Sequence, residues 1–71
     1  MSEPETEEEW LIEYQARRGD RWKPFALDYC HYTLEEARQA LRKWQSVYRL
    51  IVAWRIVHET TMYTVTREVV E

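Results

Sequence analysis

Residues 10–29, WLIEYQARRGDRWKPFALDY, carry the chain's single glycine, Gly19, between two runs of alternating character. Gly19-Asp20 reads as a two-residue hairpin loop, with glycine at the first central position, where a type II′ turn needs positive φ. In that register Arg18 faces Arg21. One face then collects Tyr14 with Phe25, Ile12 with Leu27 and Trp10 with Tyr29. The other collects Arg17 with Trp22, Gln15 with Pro24, Glu13 with Ala26 and Leu11 with Asp28. A one-residue slip would mix the sets, so their clean separation is itself evidence for the register. Pro24 falls at a non-hydrogen-bonded pair with its missing donor turned outward, which places the second strand at a sheet edge.

The residues that follow open a helix. Thr33 can accept from the Glu36 amide while the Glu36 carboxylate reaches back to the Thr33 N–H, a reciprocal cap. Leu34, Ala37, Leu41, Trp44 and Tyr48 recur at spacings of three and four and form one apolar stripe. Glu35 and Glu36 lie in the first turn and Arg42, Lys43 and Arg49 toward the end, in line with the helix dipole.

Beyond it, Ile51, Val52, Ile56, Val57, Val65, Val69 and Val70, with threonines at 60, 61, 64 and 66, favour extended chain. Strands are expected at 51–59 and 62–70, reversing at Thr60-Thr61, with His58/Tyr63, Ile56/Val65, Trp54/Arg67 and Val52/Val69 as same-face pairs. That turn has neither Gly nor Asn, so one long bent strand is the alternative. The expected fold class is α+β: a ββαββ two-layer sandwich, one helix packed on an antiparallel sheet of strand order 2-1-3-4. Its core is Trp10, Ile12, Tyr14, Phe25, Leu27, Leu41, Trp44, Trp54, Ile56 and Val65.

Seventy-one residues make one domain of marginal stability, with 45% hydrophobic and 14% aromatic residues to stabilise it. The net charge of −3 is set by the N-terminal segment: five glutamates occupy residues 1–9, and the remaining chain holds eight acids against ten bases. Residues 1–8 are read as a disordered acidic leader and 9–71 as the single domain. One cysteine, Cys30, forms no internal disulfide. The longest apolar run, Leu50–Trp54, is too short to span a bilayer. A cytoplasmic location is expected.

Arg18-Gly19-Asp20 could be an adhesion tripeptide only outside the cell, so it is read as a turn. Arg17, Arg18, Arg21 and Lys23 surround Trp22, and Arg55 joins them on the same sheet face. Cations with an aromatic between them suit a single-stranded nucleic acid. The same residues also suit an internal stack of Arg17 on Trp22. Cys30, His31 and His58 lack metal-ligand spacing, and a closed zinc site takes four ligands. Adjacent in a strand, Cys30 and His31 point to opposite faces, which is wrong for a nucleophile and its base. No catalytic residue, metal or cofactor is expected.

The acidic leader, the "YQARRGDRW" hairpin, "TLEEARQAL" and the "WRIVHETT…TVTREVVE" ending together resemble small accessory proteins of unknown function from bacteriophages of actinobacteria. The resemblance implies a viral protein in the host cytoplasm that binds a host or phage component, and supplies no site residues. The functional expectation is a non-enzymatic protein-binding module or homodimer, with Arg17, Arg18, Arg21, Trp22, Lys23 and Arg55 as candidate binding residues. The alternative is a nucleic-acid binder using residues 17–23.

Overall fold

The computed structural model describes residues 7–62 and 64–71. Its elements are β1 (Glu7–Gln15), β2 (Lys23–Pro24), β3 (Cys30–His31), α1 (Leu34–Val47), β4 (Ala53–Thr61) and β5 (Val65–Val69). All strand pairs are antiparallel in the order β2-β1-β4-β5, with β3 on the same edge of β1 as β2. The helix lies on β1, β3 and β4, so the α+β class and the strand order are as expected. Glu7 and Glu8, expected in the leader, pair with Thr61 and Thr60. The rest of that leader, residues 1–6, and Tyr63 of the expected His58/Tyr63 pair lie outside the described residues.

The chain does reverse at Gly19, whose φ is +89°, but not through a two-residue loop. The Asp20 N–H donates to the Arg17 carbonyl at 3.1 Å, which makes Gly19 the third residue of the turn, where a type II geometry needs positive φ. Gln15 Nε2 closes the tip by donating to the Asp20 carbonyl at 2.7 Å. Pairing then begins at Tyr14/Lys23 and Glu13/Pro24, two residues away from the expected register. The tight loop would have set Arg18 directly against Arg21, and like charges opposite each other are unfavourable. An even shift keeps the faces, so Tyr14 and Phe25 still meet, edge to face at 6.0 Å. Pro24 still sits between bonded pairs, because the next amide, Phe25, donates to the Ile12 carbonyl.

Ile12 is also where the second strand splits. Its carbonyl accepts from Phe25 and its own N–H donates to the Tyr29 carbonyl, each at 2.9 Å, so Ala26, Leu27 and Asp28 loop out between the two bonds. Leu27, expected in the core opposite Ile12, is therefore 66% exposed. Asp28, expected opposite Leu11 on the outer face, instead accepts from Trp44 Nε1 at 2.8 Å and lies 3.2 Å from His31 Nε2. Trp10 and Leu11 pair with His31 and Cys30, not with Tyr29 and Asp28.

The helix starts as its sequence dictates, Thr33 Oγ1 accepting from the Glu36 N–H at 3.1 Å. The Glu36 carboxylate returns to the Tyr32 N–H at 3.3 Å, one residue before the expected donor. Ala37 is fully buried against the sheet, and Trp44 brings its ring to within 5.2 Å of Phe25. Phe25 also has Trp54 at 5.1 Å and Tyr48 at 5.8 Å, so one aromatic cluster joins β1, the bulge, the helix exit and β4. Ile12 and Ile56 lie beneath the helix with no exposed surface, each contributing about 1.5–3 kcal/mol by burial.

The C-terminal strands form a hairpin, but not in the expected register. β4 runs through Thr60 and Thr61, whose branched side chains suit a strand, and the connection is Met62–Thr64. Pairing is Thr61/Val65, Glu59/Arg67 and Val57/Val69. This differs from expectation by an odd number of residues, which exchanges the faces. Val65, expected in the core against Ile56, turns to the outer face and is 58% exposed. Beyond β5, the Ile56 N–H donates to the Glu71 carbonyl at 2.8 Å, and the Glu71 carboxylate is bound by Arg38 of the helix.

The face away from the helix is held by charge. Glu13, Leu11 and Val57 are buried there although no second layer covers them. Glu13 Oε1 accepts from Arg55 at 2.7 Å and Oε2 from Arg67 at 2.8 Å, and Arg67 also contacts Glu59 at 3.2 Å. From β5, Arg67 reaches across β4 to Glu13 of β1. Burial by itself raises the Glu13 pKa; hydrogen bonds from Arg67 and Arg55 and their positive charges outweigh it, leaving the carboxyl below its ordinary value of 4.5. The Tyr29 phenol is pushed up by burial, with Arg67, Glu13 and Glu59 all near enough to act on it.

Two outcomes follow from this construction. Nothing stands within 4 Å of a Cβ built on Gly19, so Gly19→Ala should lose only the backbone term, about 1 kcal/mol in urea unfolding, and Gly19→Asn less. A carboxyl with a lowered folded-state pKa stabilises the fold above its unfolded pKa and loses that contribution as pH falls through the folded one. Stability should therefore decline as the pH is taken below 4.5. Glu13→Gln should cost about 2 kcal/mol near neutral pH and make the acid limb of urea midpoint against pH shallower. An unchanged limb would remove Glu13 from the account.

Candidate functional site

The tip loop gathers four of the candidate residues. Arg17, Arg18, Arg21 and Lys23 are all exposed, and among the described residues none of them enters an ion pair. The other two are used internally. Trp22 stacks against the guanidinium of Arg55, 4.3 Å from the ring centroid, and not on Arg17, the alternative left open by the sequence. Arg55 is in turn clamped to Glu13, with Nη2 at 2.6 Å from Oε1. Trp22 and Arg55 thus complete the buried network on the outer face, and the free cations of the tip are separate from them.

A second feature adjoins the tip on the helix side. Tyr14, Pro24, Phe25, Leu27, Tyr48 and Ile51 enclose an open, largely apolar groove of about 280 Å³. Its walls come from irregular chain. Leu27 is presented by the loop that Ile12 excludes from the ladder. Tyr48 caps the helix, its N–H donating to the Trp44 carbonyl at 2.8 Å, and Ile51 follows through a turn onto the Tyr48 carbonyl at 3.4 Å. Pro24 has no donor to offer on its outer edge. Leu50, beside the groove in sequence, is 94% exposed. Such walls carry no periodic signal, which is why the alternation of the strands and the helical stripe do not reveal the groove.

Charge is distributed along the sheet. Lys23 pairs with Tyr14 and shares its face, and Arg49 lies between Tyr48 and Ile51 in the helix-exit turn. At the other end of β1, Glu7, Glu8 and Glu9 pair with Thr61, Thr60 and Glu59, and Glu68 lies opposite His58. The groove end is basic and the N-terminal end of β1 acidic, although the chain as a whole is net acidic.

The nucleophile and imidazole candidates are spread apart. Cys30 is exposed with Sγ 4.0 Å from Glu9 Oε2; burial and the nearby Glu9 and Glu59 charges push its thiol up, away from the thiolate that would react. Cys30 and His31 pair with Leu11 and Trp10, on opposite faces as expected. His58 stacks on Trp10, centroids 4.6 Å apart, with its Nε2 3.4 Å from Glu8. Among the described residues, no group of three or more His, Cys, Asp or Glu side chains is arranged to hold a metal ion, and no helix is long and apolar enough to cross a membrane.

No protein-family model, no curated protein and no solved structure matches this chain.

Proposed function

We propose that this chain is a non-enzymatic protein-binding module, and that it docks its partner in the groove beside the hairpin tip. The observation that carries the reading is Leu27: a large aliphatic side chain held 66% exposed, at the wall of an apolar concavity, by two backbone hydrogen bonds that force its loop out of the sheet. Apolar concavities rimmed by polar groups are where protein partners anchor. At 280 Å³, the groove is just under the ~300–1,000 Å³ usual for small-molecule sites, and fits one or two side chains. The resemblance to actinobacteriophage accessory proteins adds a setting: a viral protein acting in the host cytoplasm on a host or phage component.

Nucleic-acid binding through residues 17–23 is the second reading, favoured by the exposed cations of the tip, which have no ion partner among the described residues. It is weakened by Trp22, whose ring is already stacked on Arg55. The two separate by site-specific crosslinking. A photo-reactive residue in place of Leu27 should yield protein adducts in a nuclease-treated bacterial lysate, and one in place of Glu68 should not. The protein-binding reading is overturned if Leu27 yields no adduct while retention on DNA or RNA is salt-sensitive and lost in an Arg17→Gln, Arg18→Gln, Arg21→Gln variant.

A further inference from the structure

The placement of unpaired charge says which kind of protein segment fits the groove. Among the described residues, ion pairs engage Arg38, Arg55 and Arg67 of the ten lysines and arginines. Lys43 lies over the Trp44 ring at 4.8 Å. Of the bases left over, Arg17, Arg18, Arg21, Lys23 and Arg49 all belong to the tip loop, β2 and the helix-exit turn, and only Arg42 lies elsewhere. Pro24 of β2 and Tyr48 and Ile51 of the helix exit line the groove, and the tip loop connects the strands that carry Tyr14 and Pro24. Of the acids in these segments, Asp28 is occupied by Trp44 and His31, and Asp20 offsets one of the three tip arginines, leaving the end net basic. An apolar floor flanked by unneutralised cations matches a ligand with an apolar anchor flanked by carboxylates.

We infer that the groove takes an acidic peptide segment of another protein, one or two large apolar side chains entering between Leu27, Tyr48 and Ile51 while flanking Asp or Glu residues meet Lys23, Arg49 and the tip arginines. The inference rests on the protein-binding reading and specifies its partner. A single-stranded nucleic acid shares the negative charge but wants an open aromatic face. Phe25, the ring at the base of the groove, is only 5% exposed and is met by four other rings. A second copy of this chain is a poorer occupant. Its acidic stretch Glu7–Glu9 is fixed in the ladder with β4.

The test is selection of a displayed library of random peptides, about a dozen residues long, on the full-length chain, with depletion on a Leu27→Asp variant. Leu27 is exposed, so that substitution should leave the unfolding midpoint near wild type. Peptides that survive depletion should combine large apolar residues with an excess of Asp and Glu. A representative peptide should bind about tenfold more weakly to a Lys23→Glu, Arg49→Glu variant, and its affinity should fall as salt rises. Surviving peptides that are neutral or basic would overturn the inference while leaving the groove as a protein-docking site. Enrichment indifferent to Leu27→Asp would overturn both. Two results would replace the proposed occupant: concentration-dependent self-association in sedimentation that Leu27→Asp abolishes, or displacement of the peptide by single-stranded DNA.

Discussion

Phe25 is the side chain on which the rest of the molecule depends. Its amide is tied to the Ile12 carbonyl and its ring is the shared neighbour of Tyr14, Trp44, Tyr48 and Trp54, so it couples β1 to the helix exit and to β4 in one cluster. In a chain this short the helix alone cannot cover a sheet, and aromatic rings supply the area per residue that aliphatics could not. The seating of Phe25 also forces what comes next. With Phe25 down and Tyr29 rejoining the ladder at the same residue, Ala26, Leu27 and Asp28 have no strand to pair with. One of them, Asp28, is then free to bind the Trp44 indole and His31, and another, Leu27, is left facing solvent.

The two faces of the sheet are stabilised by different physics. Under the helix, Ile12, Ile56, Ala37 and the aromatic cluster exclude water in the ordinary way. On the outer face Leu11 and Val57 are just as inaccessible, and the same face carries Glu13 bound by Arg55 and Arg67, with Trp22 stacked on Arg55. A buried carboxylate is costly unless both oxygens are satisfied. Here each oxygen has its own guanidinium, drawn from β4 on one side and from β5 beyond it. The network therefore ties β1 to an edge strand it does not touch by backbone bonds, and gives a single sheet an outer face without a second layer.

Much of this was legible in the sequence because side-chain period and capping chemistry are local. Thr33 and Glu36 announce the helix, Gly19 the reversal and Pro24 the edge, and each does what its chemistry demands. The faces of β1 survive a register error because the error is even. At the second hairpin the error is odd, and Val65 changes sides for want of a Gly or Asn to mark the turn. The groove and the Glu13 network were not legible for a different reason. Leu27 is expelled by a bulge that no residue type signals, and Glu13 meets Arg55 and Arg67 across separations of 42 and 54 residues, where nothing local specifies the pairing.

The same long-range pairing sorts the charges. Once Glu13 and Glu59 have engaged Arg55 and Arg67, and Glu71 has taken Arg38, the bases that remain are concentrated at the tip and the helix exit. Glu7, Glu8 and Glu9 stand at the N-terminal end of β1, beside the turn between β4 and β5. A chain of net charge −3 thereby presents a basic end that its overall charge conceals. For the acidic segment proposed as the groove's occupant, repulsion by the acidic end and attraction by the basic end would favour the same site as the apolar contact.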